Sequence, residues 1–224
     1  MLQSKESLIK KILKLELKMF REIHTDTQGQ KCKEHEETFK LERESFFQPL
    51  SRETLKSYLD GLEDAIVEGR NLMKEKYLRM DESSNIKDMK QVNLKVKMGY
   101  ERSKTQCDIE GPPDNSKSLD EEHKILIQKI MEIETKWQNK LIEKYPNLFK
   151  SNKIEGLLNF EKYLTSELET YPPLTIEYYY KDVSNAEREG RNLALEGYKY
   201  MFNKLNYSSL EEANQEIGSN KENN

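Results

Sequence analysis

EGRNL occurs at residues 68–72 and again at residues 189–193, and this repetition decides how the chain is divided. The match extends without a gap from EGRNLMKEKYLRM (68–80) to EGRNLALEGYKYM (189–201), with eight of thirteen positions identical. The two segments lie 121 residues apart, a period far longer than those of solenoid repeats. The pattern therefore predicts a duplicated domain packed on itself.

The duplication extends upstream of EGRNL. LIKKILKLELKMF (8–20) aligns with LIQKIMEIETKWQ (126–138), and its apolar residues follow the period of an amphipathic helix. Each copy is predicted to hold three helices: 8–20, 33–47 and 51–81 in the first, and 118–144, 154–170 and 175–204 in the second. A serine three residues before a glutamate predicts capping at two helix starts, Ser118 with Glu121 and Ser209 with Glu212.

We therefore predict an all-α fold of two three-helix units related by a pseudo-twofold axis and packed as one domain. The first repeat spans 1–83, an irregular linker 84–118 and the second repeat 119–208, and 209–224 hold a short helix and a disordered tail. Apolar residues alternate with polar ones in QVNLKVKM (91–98), which predicts a short strand or hairpin in the linker.

Composition narrows the class of protein. The 37 basic and 41 acidic residues give a net charge of −4, so no overall field attracts nucleic acid or an anionic membrane. Only Cys32 and Cys107 are present, in no Cys-x-x-Cys spacing, and no run of apolar residues is long enough for a membrane span. These features favour a soluble cytoplasmic protein that binds neither nucleic acid nor membrane.

The glycine of EGRNL is predicted to lie in the middle of a helix. On a wheel with about 100° per residue, Leu62, Ala65, Leu72 and Met73 fall on the same side as Gly69. A glycine in the apolar face of a helix suggests that another backbone approaches closely there. On this interpretation a larger side chain at residue 69 would overpack the contact.

The two copies also share five polar positions. On the wheel the glutamates fall on one flank of the apolar face, the arginine and tyrosine fall on the other, and the asparagine points backwards. The shared residues are Glu68, Arg70, Asn71, Glu75 and Tyr77, and Glu189, Arg191, Asn192, Glu196 and Tyr198. Amphipathicity alone does not explain them, so they are predicted to bind a ligand or to form a polar network between the repeats.

Two arrangements of the third helices stay open. If they pack face to face around an axis parallel to them, glutamates of one copy meet arginines of the other in a structural network. If they run antiparallel, four glutamates meet, and such a cluster needs a metal ion or raised pKa values. Glu75 and Glu196 are then the candidate ligands, for magnesium, calcium or manganese. We favour the network, without a metal.

The remaining motifs favour no particular reaction. The chain contains no nucleophile elbow, phosphate loop, dinucleotide fingerprint or zinc spacing. We therefore expect a binding or structural module, and the sequence specifies no cofactor. The alternative is an enzyme or metal-binding protein with its site at the junction of the repeats, where Arg70 and Arg191 grip an anionic group. A small anionic ligand or another protein is the kind of partner that these residues suit.

Three stretches resemble a known family. SYLDGL (57–62), EGRNLMKEKYLRMDES (68–83) and ELETY (167–171) are similar to the bacterial domain of unknown function 4125 family. Asp81 follows Met80 where that family tends to carry a second methionine. The resemblance implies a bacterial cytoplasmic origin, and it supplies no reaction, ligand or catalytic residue.

Overall fold

A computed structural model describes residues 3–23, 29–82, 121–149 and 153–222. These residues form nine α-helices and no strand, which confirms the all-α prediction for this part of the chain. The helices are α1 (Lys5–Ile23), α2 (Gly29–Phe47), α3 (Arg52–Val67), α4 (Leu72–Glu82), α5 (Glu121–Lys144), α6 (Lys153–Leu168), α7 (Pro173–Arg188), α8 (Leu193–Lys204) and α9 (Leu210–Glu222). The strand predicted in the linker and the predicted cap at Ser118 lie outside the described residues.

The long third helix predicted for each copy is wrong. The stretch 51–81 forms α3 and α4, and the stretch 175–204 falls within α7 and α8. In both places the break falls inside EGRNL, between the glutamate and the leucine. In the described residues, four helices thus precede the linker and four corresponding helices follow it, with α9 added at the end, and EGRNL is the turn between the third and fourth helix of each set.

Helix α9 extends further than predicted. Ser209 caps it as expected, because its Oγ accepts the backbone N–H of Glu212 at 3.1 Å. The helix then continues to Glu222, so the tail predicted to be disordered is helical up to that residue. The reason is burial: Ala213 and Ile217 of α9 lie in an apolar cluster with the end of α5 and with α8.

Helix packing follows the same pattern in the two halves. Within the first half α1 packs against α2, α3 and α4, and within the second half α5 packs against α6, α7 and α8. Across the halves α3 packs on α7, while α2 packs on α8 and α4 packs on α6. Each half thus packs three of its helices against the other half, and the α2–α8 and α4–α6 contacts form a matched pair.

The largest apolar cluster fills the space between the halves. It combines buried residues of α1 and α3, such as Ile12 and Leu62, with residues of α5 and α7, such as Ile130 and Val183. Trp137 is its largest fully buried side chain. No helix in the described part of the chain has both the length and the apolar composition to cross a membrane.

Candidate functional site

The first EGRNL segment ends helix α3 in a Schellman motif. Gly69 has a φ of +71°, the left-handed conformation that glycine adopts without strain. Its N–H donates to the carbonyl of Ile66 at 3.1 Å, and the N–H of Arg70 donates to the carbonyl of Ala65 at 2.8 Å. These two bonds satisfy carbonyls that the end of a helix otherwise leaves without a partner.

The second EGRNL segment has the same backbone geometry. Gly190 also has a φ of +71°. Its N–H donates to the carbonyl of Glu187 at 3.1 Å, and the N–H of Arg191 donates to the carbonyl of Ala186 at 2.8 Å. The two segments therefore end α3 and α7 in the same way.

The close approach predicted at the EGRNL glycine is wrong. A Cβ built on Gly69 or Gly190 would meet no atom within 4 Å, so these glycines serve the turn and not a backbone contact. Close contacts occur instead at three glycines within helices, of which Gly218 meets only the end of the Asn147 side chain. A Cβ on Gly61 would collide with the Pro172 ring, and one on Gly197 would lie 2.8 Å from the carbonyl oxygen of Ser45, where α8 crosses α2.

The asparagine of EGRNL begins the next helix and ties it to the core. The Asn71 side chain accepts the N–H of Lys74 at 3.0 Å and donates to the carbonyl of Met19 at 3.0 Å. Asn192 likewise accepts the N–H of Leu195 at 2.8 Å, and donates to the carbonyl of Trp137 at 3.5 Å. Residues 19 and 137 are also matched in the upstream alignment. The asparagine is therefore hydrogen-bonded to a neighbouring helix in both segments.

Each EGRNL arginine closes an ion pair over its own turn. Arg70 donates from Nε and Nη2 to the two oxygens of Glu75, at 2.8 and 2.7 Å, and from Nη1 to Glu68 at 3.2 Å. Arg191 does the same with Glu196, at 2.9 Å for both bonds, and with Glu189 at 3.3 Å. The bidentate geometry favours this fold of the turn.

This arrangement differs from both of those considered for the shared residues. The ion pairs of Arg70 and Arg191 stay within each turn instead of joining the halves, because the broken helix lets the glutamate five positions later fold back over the arginine. The side chains of Arg70 and Arg191 are also 34% and 48% exposed, so neither pair is buried. The described residues include no group of three or more His, Cys, Asp or Glu side chains suited to hold a metal, around Glu75 and Glu196 or elsewhere.

The shared tyrosines are packing residues in the structure. Tyr77 packs against the large apolar cluster, and Tyr198 packs against the cluster under α9, where its ring meets the Phe149 ring edge-on at 5.0 Å. Burial raises the pKa of each tyrosine to about 12. Both phenols therefore stay neutral at physiological pH.

A buried ion network, absent from the sequence predictions, lies where α1, α2, α4 and α6 meet. Arg43 donates from Nε and Nη2 to the two oxygens of Glu16, at 2.9 and 2.6 Å, and Nη2 also donates to Glu167 at 2.6 Å. Lys76 donates to the other oxygen of Glu167 at 2.7 Å. The side chains are each 3% exposed or less. We call these four residues the central network; two carboxylates balance two cations in it.

Tyrosine hydroxyls complete the central network. Tyr58 donates to Glu16 at 2.7 Å and Tyr171 donates to Glu167 at 2.8 Å, so each carboxylate accepts three hydrogen bonds. Burial alone would raise the pKa of Glu167, but the nearby Arg43 and Lys76 outweigh it and lower that pKa to about 2. Glu167 is therefore ionised at neutral pH.

The sequence contained a signal for the central network. Glu16 interrupts the apolar face of LKLELKM (13–19), and Glu167 stands in ELETY, one of the stretches that resemble the family. A charged residue within an apolar helix face indicates a buried ion pair. The sequence does not show which cation pairs with Glu167, because Arg43 and Glu167 are 124 residues apart.

The second half has a buried carboxyl without a cation. Glu134 aligns with Glu16 and accepts a hydrogen bond from the Tyr179 hydroxyl at 3.0 Å, as Glu16 does from Tyr58. However, no described lysine or arginine forms a salt bridge with Glu134, and burial raises its pKa to about 7. One turn along α5, the buried Oε1 of Gln138 has no hydrogen-bond partner among the described residues.

A shallow depression of about 310 Å³ lies beside the second EGRNL turn. Apolar side chains such as Leu141 and Leu195 line it together with the cations Lys140, Lys144 and Arg191 and the carboxylate Glu187. Two of these three cations already have carboxylate partners: Lys144 pairs with Glu211 at 3.0 Å, and Arg191 pairs with the glutamates of its own turn.

The fold and the central network define an all-α protein whose buried charges hold helices together. The chain belongs to the family described as Protein of unknown function (DUF4125), which matches residues 6–215 and so confirms the resemblance seen in the sequence. No curated protein and no solved structure matches the chain. The description of the family names no activity.

Proposed function

We propose that this protein is a helical binding module without a catalytic centre, built from two copies of one four-helix unit that the central network locks together. In this proposal EGRNL is repeated because each copy needs the same turn between its third and fourth helices. The buried charges stabilise the scaffold, and binding takes place on the outer helix faces.

Matched geometry supports the two copies. Both EGRNL glycines have the same φ, both arginines clamp the glutamate five positions later, and both asparagines reach back to positions paired by the upstream alignment. The packing of α2 on α8 and of α4 on α6 is what a pseudo-twofold axis through the α3–α7 contact would produce. Such an arrangement is the single-chain equivalent of a symmetric dimer.

The central network is the observation that carries the proposal. A catalytic acid, base or nucleophile must reach its substrate, whereas these four charged side chains are almost completely buried and bound to one another. Three of them come from the first half, on α1, α2 and α4, and Glu167 comes from α6 of the second. Removing one partner from such a network leaves a buried charge uncompensated, which is strongly destabilising.

Urea unfolding of Lys76→Met tests the structural role. We expect a loss of about 3–5 kcal/mol, because Glu167 keeps only Arg43 and Tyr171. Lys56→Met is the matched control: its lysine pairs with Asp60 on the exposed side of α3, so the same change should lower stability by less than about 1 kcal/mol. Unchanged or increased stability of Lys76→Met would instead indicate a strained site kept for function, and would reject the proposal.

A second candidate function is the binding of a small anionic ligand in the depression beside Arg191. The three cations on its rim favour it, and Lys140 is exposed there. Pyrophosphate should then raise the melting temperature of the wild type, and Lys140→Ala should remove that rise. An equal rise in both proteins would place the anion elsewhere and reject this candidate.

A further inference from the structure

Helix α1 carries a row of lysines on its outer face. Lys10, Lys11, Lys14 and Lys18 are all exposed, and on a helical wheel they fall within an arc of about 100°. None of the four forms a salt bridge with a carboxylate in the described part of the chain. We call these four residues the α1 lysine face.

Such a row is unfavourable for the isolated protein. Like charges four residues apart on a helix repel, as Lys10 and Lys14 do, and again Lys14 and Lys18. Soluble proteins usually intersperse charges of both signs on their surfaces. A face with four cations and no carboxylate among them is therefore a place where an outside group of opposite charge would relieve repulsion.

The corresponding face of α5 does not have this character. Gln128 and Glu132 take the places that Lys10 and Lys14 have in the upstream alignment, and they hydrogen-bond to each other at 3.5 Å. Lys136, which takes the place of Lys18, pairs with Glu187 of α7. The lysine row is thus a property of α1 and not of the shared helical unit.

We propose that the α1 lysine face binds an acidic helical segment of another protein, a proposal that rests on the binding role given above. Lysines four residues apart are about 6 Å apart along the helix axis, and carboxylates at the same spacing on a partner helix match them. Charge complementarity of this kind fixes register and speeds association.

The surroundings of the face fit a helix better than a nucleic acid or a membrane. The row is one helix wide, and the exposed Glu22 follows it on α1, where its carboxylate would oppose a broad polyphosphate surface. Arg21, the arginine next to the row, already forms a bidentate pair with Glu36 at 2.7 Å. The four lysines have no exposed aromatic side chain between them on α1 that could insert into a membrane interface.

The probe is a labelled alanine-based peptide with glutamates four residues apart. Its binding to the protein is measured by fluorescence anisotropy at low salt. Lys14→Glu with Lys18→Glu is the test variant. Lys129→Glu on α5 with Lys199→Glu on α8 is the control, because both lysines are exposed and the change in net charge is the same. We expect the test variant to weaken binding by at least about tenfold and the control by less than about twofold.

Three results would overturn the proposal: no binding of the peptide, equal weakening by both variants, or tighter binding of duplex DNA or phosphatidylserine vesicles than of the peptide. The mutated lysines are exposed and none of them forms a salt bridge with a described carboxylate, so both variants should melt close to the wild-type temperature. Binding and unfolding are measured separately. A failure here therefore differs from a failure of the structural role, which Lys76→Met reports.

Discussion

The EGRNL glycines offer a test with two matched sites. At Gly69 and Gly190 the φ is +71° and an added Cβ meets nothing within 4 Å, so alanine introduces strain without a clash. The left-handed conformation costs an L-residue about 1–2 kcal/mol, and alanine recovers part of this by restricting the unfolded chain. We expect Gly69→Ala and Gly190→Ala each to lower the free energy of unfolding by about 1 kcal/mol, and by similar amounts.

Asparagine separates backbone strain from overpacking. Asparagine tolerates the left-handed conformation, so Gly69→Asn should be less destabilising than Gly69→Ala. At Gly197 the order should reverse, because a Cβ there would lie 2.8 Å from the Ser45 carbonyl oxygen and a larger side chain would force α8 further from α2. Urea unfolding of the four variants, read by circular dichroism, gives both orders in one series.

Three stability measurements on these glycine variants could contradict the reasoning. If Gly69→Ala left stability unchanged, the strain argument would be wrong. If Gly69→Asn were more destabilising than Gly69→Ala, the turn would be packed as tightly as Gly197, and the close approach expected from the sequence would be correct after all. A large difference between Gly69→Ala and Gly190→Ala would argue against two equivalent turns.

Two further predictions concern Glu134 and the helix-capping asparagines. The pKa of Glu134 is about 7 in the folded protein, against an ordinary value of 4.5. Between these two pH values the folded state binds a proton that the unfolded state has lost. The free energy of unfolding should therefore fall by up to about 3 kcal/mol as the pH rises from about 5 to 8. Urea midpoints should show this slope in the wild type and a flatter one in Glu134→Gln; equal slopes would contradict it. Asn71→Ala should lower the free energy of unfolding by about 2 kcal/mol and Asn192→Ala by about 1 kcal/mol, because the bond from Asn71 to α1 is shorter than the bond from Asn192 to α5. Calorimetric melting measures both losses, and the opposite order would contradict this explanation.

Much of the fold follows from local patterns. The apolar period predicted α1, α2, α5 and α6 to within a few residues, since side-chain burial on one face sets that period. The breaks within 51–81 and 175–204 were missed because the apolar period continues across EGRNL. The signal was present nonetheless: a glycine that ends one helix stands two residues before an asparagine that caps the next.

The sites were harder to predict than the helices. The shared polar residues of EGRNL stood out because they repeat, yet their repetition reflects the needs of a turn. The central network does not repeat, since Glu134 has no counterpart of Arg43 among the described residues, and the members of the network are far apart in sequence. Shared residues such as those of EGRNL meet the local needs of a turn, whereas the central network joins the halves through residues that differ.

Because α2 packs on α8 and α4 packs on α6, each half holds the other by two helices as well as through the α3–α7 contact. Separation of the halves would expose apolar surface on both and would break the ion pairs of Glu167 with Arg43 and Lys76. These noncovalent contacts, and not the peptide chain between α4 and α5, should therefore hold the halves together. A chain cut by a protease between Glu82 and Glu121 should still migrate as one particle, its two pieces held as a noncovalent heterodimer.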